Sequence, residues 1–266
     1  MAIKWRLLDT GALDAANNMA LEKVLLASCA SGVGPNTLHL LEFLPCALLG
    51  YSQVLSEEVN EDYCRENGIE ITRRISGGGC IYMDAGTLGW EIIAKKDARN
   101  IPPNHGDLYN KLCGAVILAL SFFGIDAVYK PLNDVEAGGR KISGAGGTEQ
   151  GDSFIFHGTI LVDFNAGIMA KALKIPVKER EYRHVSDFMK RTVCMRELLG
   201  YAPSIGDVKA RLANAFAEIL DIDFEPGGLT CGETDALNSE LPLFRSEEWV
   251  YCRKHGNYPD SVGPYL

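Results

Sequence analysis

The sequence predicts an α+β fold, a mixed or antiparallel sheet with flanking helices, rather than a regular alternation of strands and crossover helices. Two patterns carry this expectation. Short apolar segments follow one another across tight turns as hairpins do, with few helical crossovers, and the chain beyond Asn165 reads largely as helix. Glycine supplies 28 of 266 residues, which calls for many turns and close backbone approaches. With 47% hydrophobic residues, one large domain can bury its core without disulfides or a structural metal.

Residues 4–9 read as a strand and Asp14 to Ser28 as a helix, with Met19, Leu21, Val24 and Leu25 in a rough amphipathic pattern. Leu38 to Phe43 and Pro45 to Gly50 are extended. Asn60 to Asn67 forms a short helix stopped by Gly68, followed by a strand over Ile69 to Arg74. Ser76 to Gly79 must be loop, because three successive glycines are costly in any regular element. Cys80 to Tyr82 and Leu88 to Ala94 bracket Asp84 to Gly86 as an antiparallel hairpin. Asp107 to Phe123 is the clearest helix, with Gly124 as its stop. Ile125 to Lys130 is a strand, Asp134 to Gly139 a turn-rich connection, and Lys141-Ile142 a short element running into the loop Gly144 to Gly147. Phe154 to Phe164 is a strong strand, in which Gly158 marks a bulge or a close approach. Helices follow at Gly167 to Leu173, after Tyr182, and at Val208 to Leu220.

A formal charge of -9 and a pI of about 5.1 disfavour a general nucleic-acid binder, while leaving room for a local basic pocket. The eight cysteines form no Cys-x-x-Cys pair, and with five scattered histidines they suggest free thiols rather than a metal site. No apolar run is long enough to cross a membrane or act as a secretory signal, so the expected location is cytoplasmic.

Two clusters carry chemistry. In Arg73-Arg74-Ile75-Ser76-Gly77-Gly78-Gly79, unencumbered amides can surround an anion that the arginines neutralise; the alternative is a solvated surface turn. It is not a P-loop, since Gly-Lys-Ser/Thr is missing. In the second, Asn133-Asp134 precedes Arg140-Lys141-Ile142-Ser143-Gly144-Ala145-Gly146-Gly147. Lys141 can stabilise charge shared between a carboxyl and a phosphate, and Asp134 can orient the lysine or hold magnesium; a solvated pair around a hairpin is the bland reading. His157 either donates to substrate or is a core histidine satisfied by a carbonyl. Cys80 borders the glycine loop, where positive charge can lower its pKa, or it simply packs; Cys194 sits in a helical segment without an assigned base.

These motifs resemble the lipoate-protein ligase A and octanoyltransferase superfamily. Residues 73–84 are similar to its Arg-Arg-x-Ser/Thr-Gly-Gly-Gly-x-Val-x-His-Asp, Gly50 to Gln53 to its Gly-x-x-Gln, and Asn133-Asp134, Gly139 to Gly144 and His157 to Leu161 follow in order. The resemblance spans roughly residues 5–220 and implies a cofactor-ligase-like catalytic domain over 1–266, with 221–266 as a C-terminal extension. It implies ATP and lipoate as substrates, Mg2+ near Asp134, and a lipoyl carrier domain as partner. Arg74, Ser76, Gly77, Gly78 and Gly79 would line the lipoyl-adenylate pocket. Asn133 and Asp134 would lie near the phosphate, Gly144, Ala145 and Gly146 would give the adenylate close access, His157 would shape the pocket, and Lys141 would be the catalytic residue. Met83 stands where the family has histidine, and Gly146-Gly147 departs from its usual loop. The absence of the further domain found in longer ligases implies a separate accessory subunit or a specialised carrier. The competing readings are an octanoyltransferase using octanoyl acyl carrier protein and a noncatalytic adenylate- or carrier-binding protein.

Overall fold

The computed structural model describes residues 4–174 and 190–253. Its centre is an eight-stranded mixed sheet in the order β11-β1-β2-β6-β10-β9-β8-β7. These strands are β1 (Lys4–Leu13), β2 (Thr37–Phe43), β6 (Thr87–Lys95), β7 (Ala127–Lys130), β8 (Asp134–Ala137), β9 (Arg140–Gln150), β10 (Ser153–Leu161) and β11 (Asp223–Pro226). β1 pairs in parallel with both β2 and β11, and every other pairing in this sheet is antiparallel. A second sheet, in the order β4-β3-β5, comprises β3 (Cys46–Leu49), β4 (Glu70–Arg73) and β5 (Ile81–Met83).

The longer helices divide between the two faces of the large sheet. Helix α1 (Ala15–Ala30) starts where Asp14 accepts a hydrogen bond from the Asn17 amide, an N-cap that satisfies one of the orphan donors of the first turn. It lays Leu21 and Leu25 on Ile93 and Ile155, while Met19 meets Leu48 and Met83 of the small sheet. The short helices α2 (Leu55–Glu58) and α3 (Glu61–Glu66) lead into β4. On the opposite face, α4 (His105–Ser121) lies beside Trp90, Phe154 and Phe156. Helices α5 (Ala166–Ala172), α6 (Met195–Leu199) and α7 (Ile205–Leu220) follow, and Phe216 of α7 stacks 5.1 Å from Trp90. Helix α8 (Cys231–Phe244) covers α1, and α9 (Glu247–Val250) closes on β4.

The predicted fold class is the observed one, with local corrections. β5 and β6 are not a hairpin, because β5 pairs with β3 in the small sheet and β6 with β2 and β10 in the large one. The turn expected over Asp134 to Gly139 is largely strand β8, and the glycine-rich stretch Gly144 to Gly147 is the middle of β9. Neighbouring strands supply the hydrogen bonds there, overriding the low strand preference of glycine. Cys194 lies at the N-cap of α6 rather than within a helix, and β11 had no sequence expectation. The helix expected after Tyr182 begins outside the described residues.

Candidate active site

One cavity of about 570 Å3 is lined by the glycine loop after β4, the β8–β9 hairpin and the central parts of β6 and β10. Most of the residues expected at the site meet here: Arg74, Gly77, Gly78, Gly79, Asn133, Asp134, Lys141, Gly144, Ala145, Gly146 and His157 line it. Ser76 is fully buried behind the wall, where its Oγ lies 2.9 Å from His157 Nε2.

Lys141 is set by an irregularity in β9. The β8–β9 register slips between Val135 and Glu136, so that Lys141 faces Glu136 while Ser143 faces Val135. The Lys141 N–H donates to the Arg191 carbonyl and its own carbonyl accepts from the Val193 amide, which fixes its backbone from outside the sheet. Lys141 Nζ then lies 2.6 Å from Asp134 Oδ1. The lysine occupies the space a side chain at Gly144 would need: a Cβ there would come within 2.6 Å of Lys141 Nζ. Asn133 Nδ2 donates to the Ala145 carbonyl and the Ala145 amide to the Asn133 carbonyl, tying the β7–β8 turn to β9.

The two arginines of the glycine loop divide their work. Arg73 is fully buried and donates to the carbonyls of Gly50, Tyr51, Gln53, Trp249 and Val250, so it anchors α9 and the segment after β3. The expectation that both arginines neutralise an anion is corrected for Arg73, which five carbonyls hold away from the cavity. Arg74 reaches the cavity wall, but its guanidinium also donates to the carbonyls of Leu48, Gly77 and Gly79 and thereby shapes the loop. Burial holds its pKa below the ordinary arginine range.

Burial pushes the Cys80 thiol up to about 12 despite the nearby charge of Arg74, so the sequence argument for a lowered pKa fails. Desolvation outweighs the attraction even though the residue is only half-buried and lines the cavity. Cys194 instead borders a separate cavity of about 310 Å3.

His157 is not a core histidine satisfied by a carbonyl. Its Nδ1 lies 2.5 Å from Glu22 Oε1 on α1, and it lines the cavity. Sequence reasoning missed Glu22, Glu91 and His39, which gather beside it. The available signal was a single glutamate inside each of two apolar runs, Met19 to Leu26 and Leu88 to Ala94. Gly158 admits the Trp90 ring, which a Cβ at that position would approach within 2.4 Å. This is the close approach expected of a glycine within a strand.

Comparison with known proteins gives this geometry a context. The lipoyl protein ligase A/B catalytic domain matches residues 14–217. The octanoyltransferase LipM of Moorella thermoacetica (strain ATCC 39073 / JCM 9320) is 27% identical over 94% of this chain and 98% of that protein. A crystal structure of lipoate-protein ligase A bound with ATP superposes with a TM-score of 0.82 at 25% identity, covering 94% of this chain and 99% of that one. A bipartite lipoate protein ligase from Thermoplasma acidophilum, solved in a study that includes its E2 lipoyl domain, gives 0.80 at 25% identity, covering 96% and 100%. With the match spanning most of the chain, the protein belongs to the lipoate-protein ligase A and octanoyltransferase family, on its lipoyl protein ligase A/B catalytic domain.

Proposed function

We propose that this chain is an ATP-dependent lipoate-protein ligase that forms lipoyl-AMP and transfers the lipoyl group to a lysine of a lipoyl carrier domain. The observation that carries the reading is the Lys141–Asp134 pair on a cavity whose one cysteine among the described residues, Cys80, is held as a thiol. A lysine ammonium beside bare glycine backbone suits an acyl phosphate, whereas an acyl-enzyme requires a thiolate. The ligase structure with bound ATP supports the same choice of nucleotide.

In the first step a carboxylate oxygen of lipoate attacks the α-phosphorus of ATP, and the bond to pyrophosphate breaks. Lys141 stabilises charge on the carboxylate and α-phosphate oxygens. Arg74 keeps the carbonyls of Gly77 and Gly79 engaged, leaving the loop amides for the anion. In the second step the carrier lysine attacks the carbonyl carbon, loses a proton and expels AMP. Asp134 and Glu136, two residues apart on β8, both line the cavity, and they are the carboxylates that a magnesium ion would share with Lys141 and Lys130, their present ion-pair partners. Those two residues would hold Mg2+, which supplies charge neutralisation for the phosphates.

The partner is read as a lipoyl carrier domain, as in the bipartite Thermoplasma system, with a separate accessory subunit as its corollary. All eight cysteines are free, which supports a cytoplasmic location, and among the described residues no helix is long and apolar enough to cross a membrane. The near full-length likeness to an octanoyltransferase keeps that activity as the second reading.

Intact-mass analysis of a lipoyl domain separates them. Modification that requires free lipoate and Mg-ATP is expected. Modification from octanoyl acyl carrier protein without ATP would instead establish the transferase, and no modification even with a candidate accessory subunit would sink both.

A further inference from the structure

Six side chains form a file beside the cavity, running from β1 to the glycine loop as two hydrogen-bonded triads. Thr10 Oγ1 lies 2.9 Å from His39 Nε2, and His39 Nδ1 lies 2.8 Å from Glu91 Oε2. From the other end, Ser76 Oγ lies 2.9 Å from His157 Nε2, and His157 Nδ1 lies 2.5 Å from Glu22 Oε1. The two halves meet at the carboxyls, where oxygens of Glu22 and Glu91 and a ring nitrogen of His157 all fall within 4.8 Å of one another. Sheet register assembles the file: Glu91 of β6 stands opposite His39 of β2 on one side and His157 of β10 on the other. Glu22 enters from α1 fully buried, and its Oε2 has no hydrogen-bond partner.

Counting protons shows how the network can close. A neutral imidazole has one N–H donor and one acceptor nitrogen. In one arrangement that closes it, the hydroxyls of Thr10 and Ser76 donate to the Nε2 atoms, and the two Nδ1–H groups donate to Glu91 and Glu22. One acceptor is left over, Glu22 Oε2, and the neighbour able to supply its proton is Glu91. Burial, reinforced by the charge of Glu22, drives the Glu91 carboxyl well above the usual carboxylate range. Burial also lowers His39 to about 3, which keeps that ring neutral. Two ionised carboxylates this close would repel each other, and their burial adds to the cost of that state.

We propose that Glu91 is a positioning residue of the acyl pocket: as a neutral carboxylic acid it donates a hydrogen bond to Glu22, which in turn holds the His157 ring in place on the cavity wall. The part of this that concerns the acyl group rests on the ligase reading above. Glu91 and His157 share the cavity with Lys141, so a loosened ring changes how an acyl chain is seated before it changes how ATP is bound.

The test compares Glu91→Leu, which removes the donor, with Glu91→Gln, which keeps one in nearly the same shape. In a pyrophosphate-release assay with lipoate or octanoate, Glu91→Leu should raise KM for the acid by about tenfold or more while KM for ATP moves less than about twofold. Glu91→Gln should recover most of that loss. An infrared difference spectrum of wild type minus Glu91→Gln at neutral pH should show the C=O stretch of a protonated carboxyl. Equal damage from Gln and Leu, absence of the band, or one divalent metal ion per purified chain that Glu91→Gln releases would each overturn the proposal. Should wild type form no acyl-adenylate, the ligase reading fails, and the infrared band still decides where the proton sits.

Discussion

Lys141 Nζ stands 2.6 Å from Asp134 Oδ1 across the slipped register between β8 and β9, so a strand irregularity, not a flexible loop, aims the cation. The backbone of Lys141 is held from the other side by residues 191 and 193. Rigid elements position reacting groups more closely than loops do, and the pair is correspondingly set before any substrate arrives.

Lys141→Ala should therefore lower acyl-adenylate formation by about 10^2-fold to 10^3-fold, the usual loss for a group that meets charge developing in the transition state. Binding of the lipoyl domain, followed by calorimetry, should change little. Undiminished pyrophosphate release in the variant would remove Lys141 from the chemistry.

Gly144 and Gly158 separate function from stability. A methyl at Gly144 meets the flexible end of Lys141, while one at Gly158 meets the fully buried Trp90 ring. Gly144→Ala should cut activity with a stability change below about 1 kcal/mol, because the lysine can swing away. Gly158→Ala should cost about 1–3 kcal/mol in urea unfolding, because the ring has no room to move. A Gly144 variant that unfolds as readily as the Gly158 variant would contradict this division.

The sequence made the fold class and the order of motifs legible because apolar runs and turn residues report local structure directly. It did not reveal that β5 and β6 enter different sheets, since a strand's partner is chosen by contacts far along the chain. Lys141, Asp134 and the glycine loop were readable from charge beside glycine. The file of Glu22, Glu91, His39 and His157 was not, because its members come from four elements and meet only through register and the docking of α1. Charge beside glycine did not separate Arg73 from Arg74, although the family resemblance put only Arg74 in the pocket; Arg73 anchors backbone carbonyls while Arg74 reaches the cavity.

Thiol reactivity should follow burial rather than proximity to arginine. With its pKa near 12, Cys80 presents roughly one thiolate in ten thousand at about pH 8. Iodoacetamide should modify the exposed Cys231 and Cys252 long before Cys80, as peptide mass mapping would show. Rapid modification of Cys80 in the folded protein would reopen the thiol route that the proposed mechanism sets aside.

The C-terminal segment should be bound into the fold through Glu233. Arg6 of β1 donates to both Glu233 oxygens, at 2.6 and 2.9 Å, and Glu233 also completes a capping box with Thr230 at the start of α8. Burial alone would raise the Glu233 pKa, but hydrogen bonds from Arg6 and the Thr230 amide, with the Arg6 charge, more than offset it and hold the group below its ordinary 4.5. A carboxyl with a depressed folded-state pKa contributes stability that is complete above the unfolded value and fades as pH falls through the folded one. Wild type should thus lose stability as pH falls through 4.5 and below, in part through this group. Glu233→Ala should be about 3 kcal/mol less stable at neutral pH, since it strands the buried Arg6 charge, and the gap to wild type should narrow in acid. Urea midpoints across that range check both, and a gap that stays constant with pH would show that the ion pair does not tie α8 to the sheet.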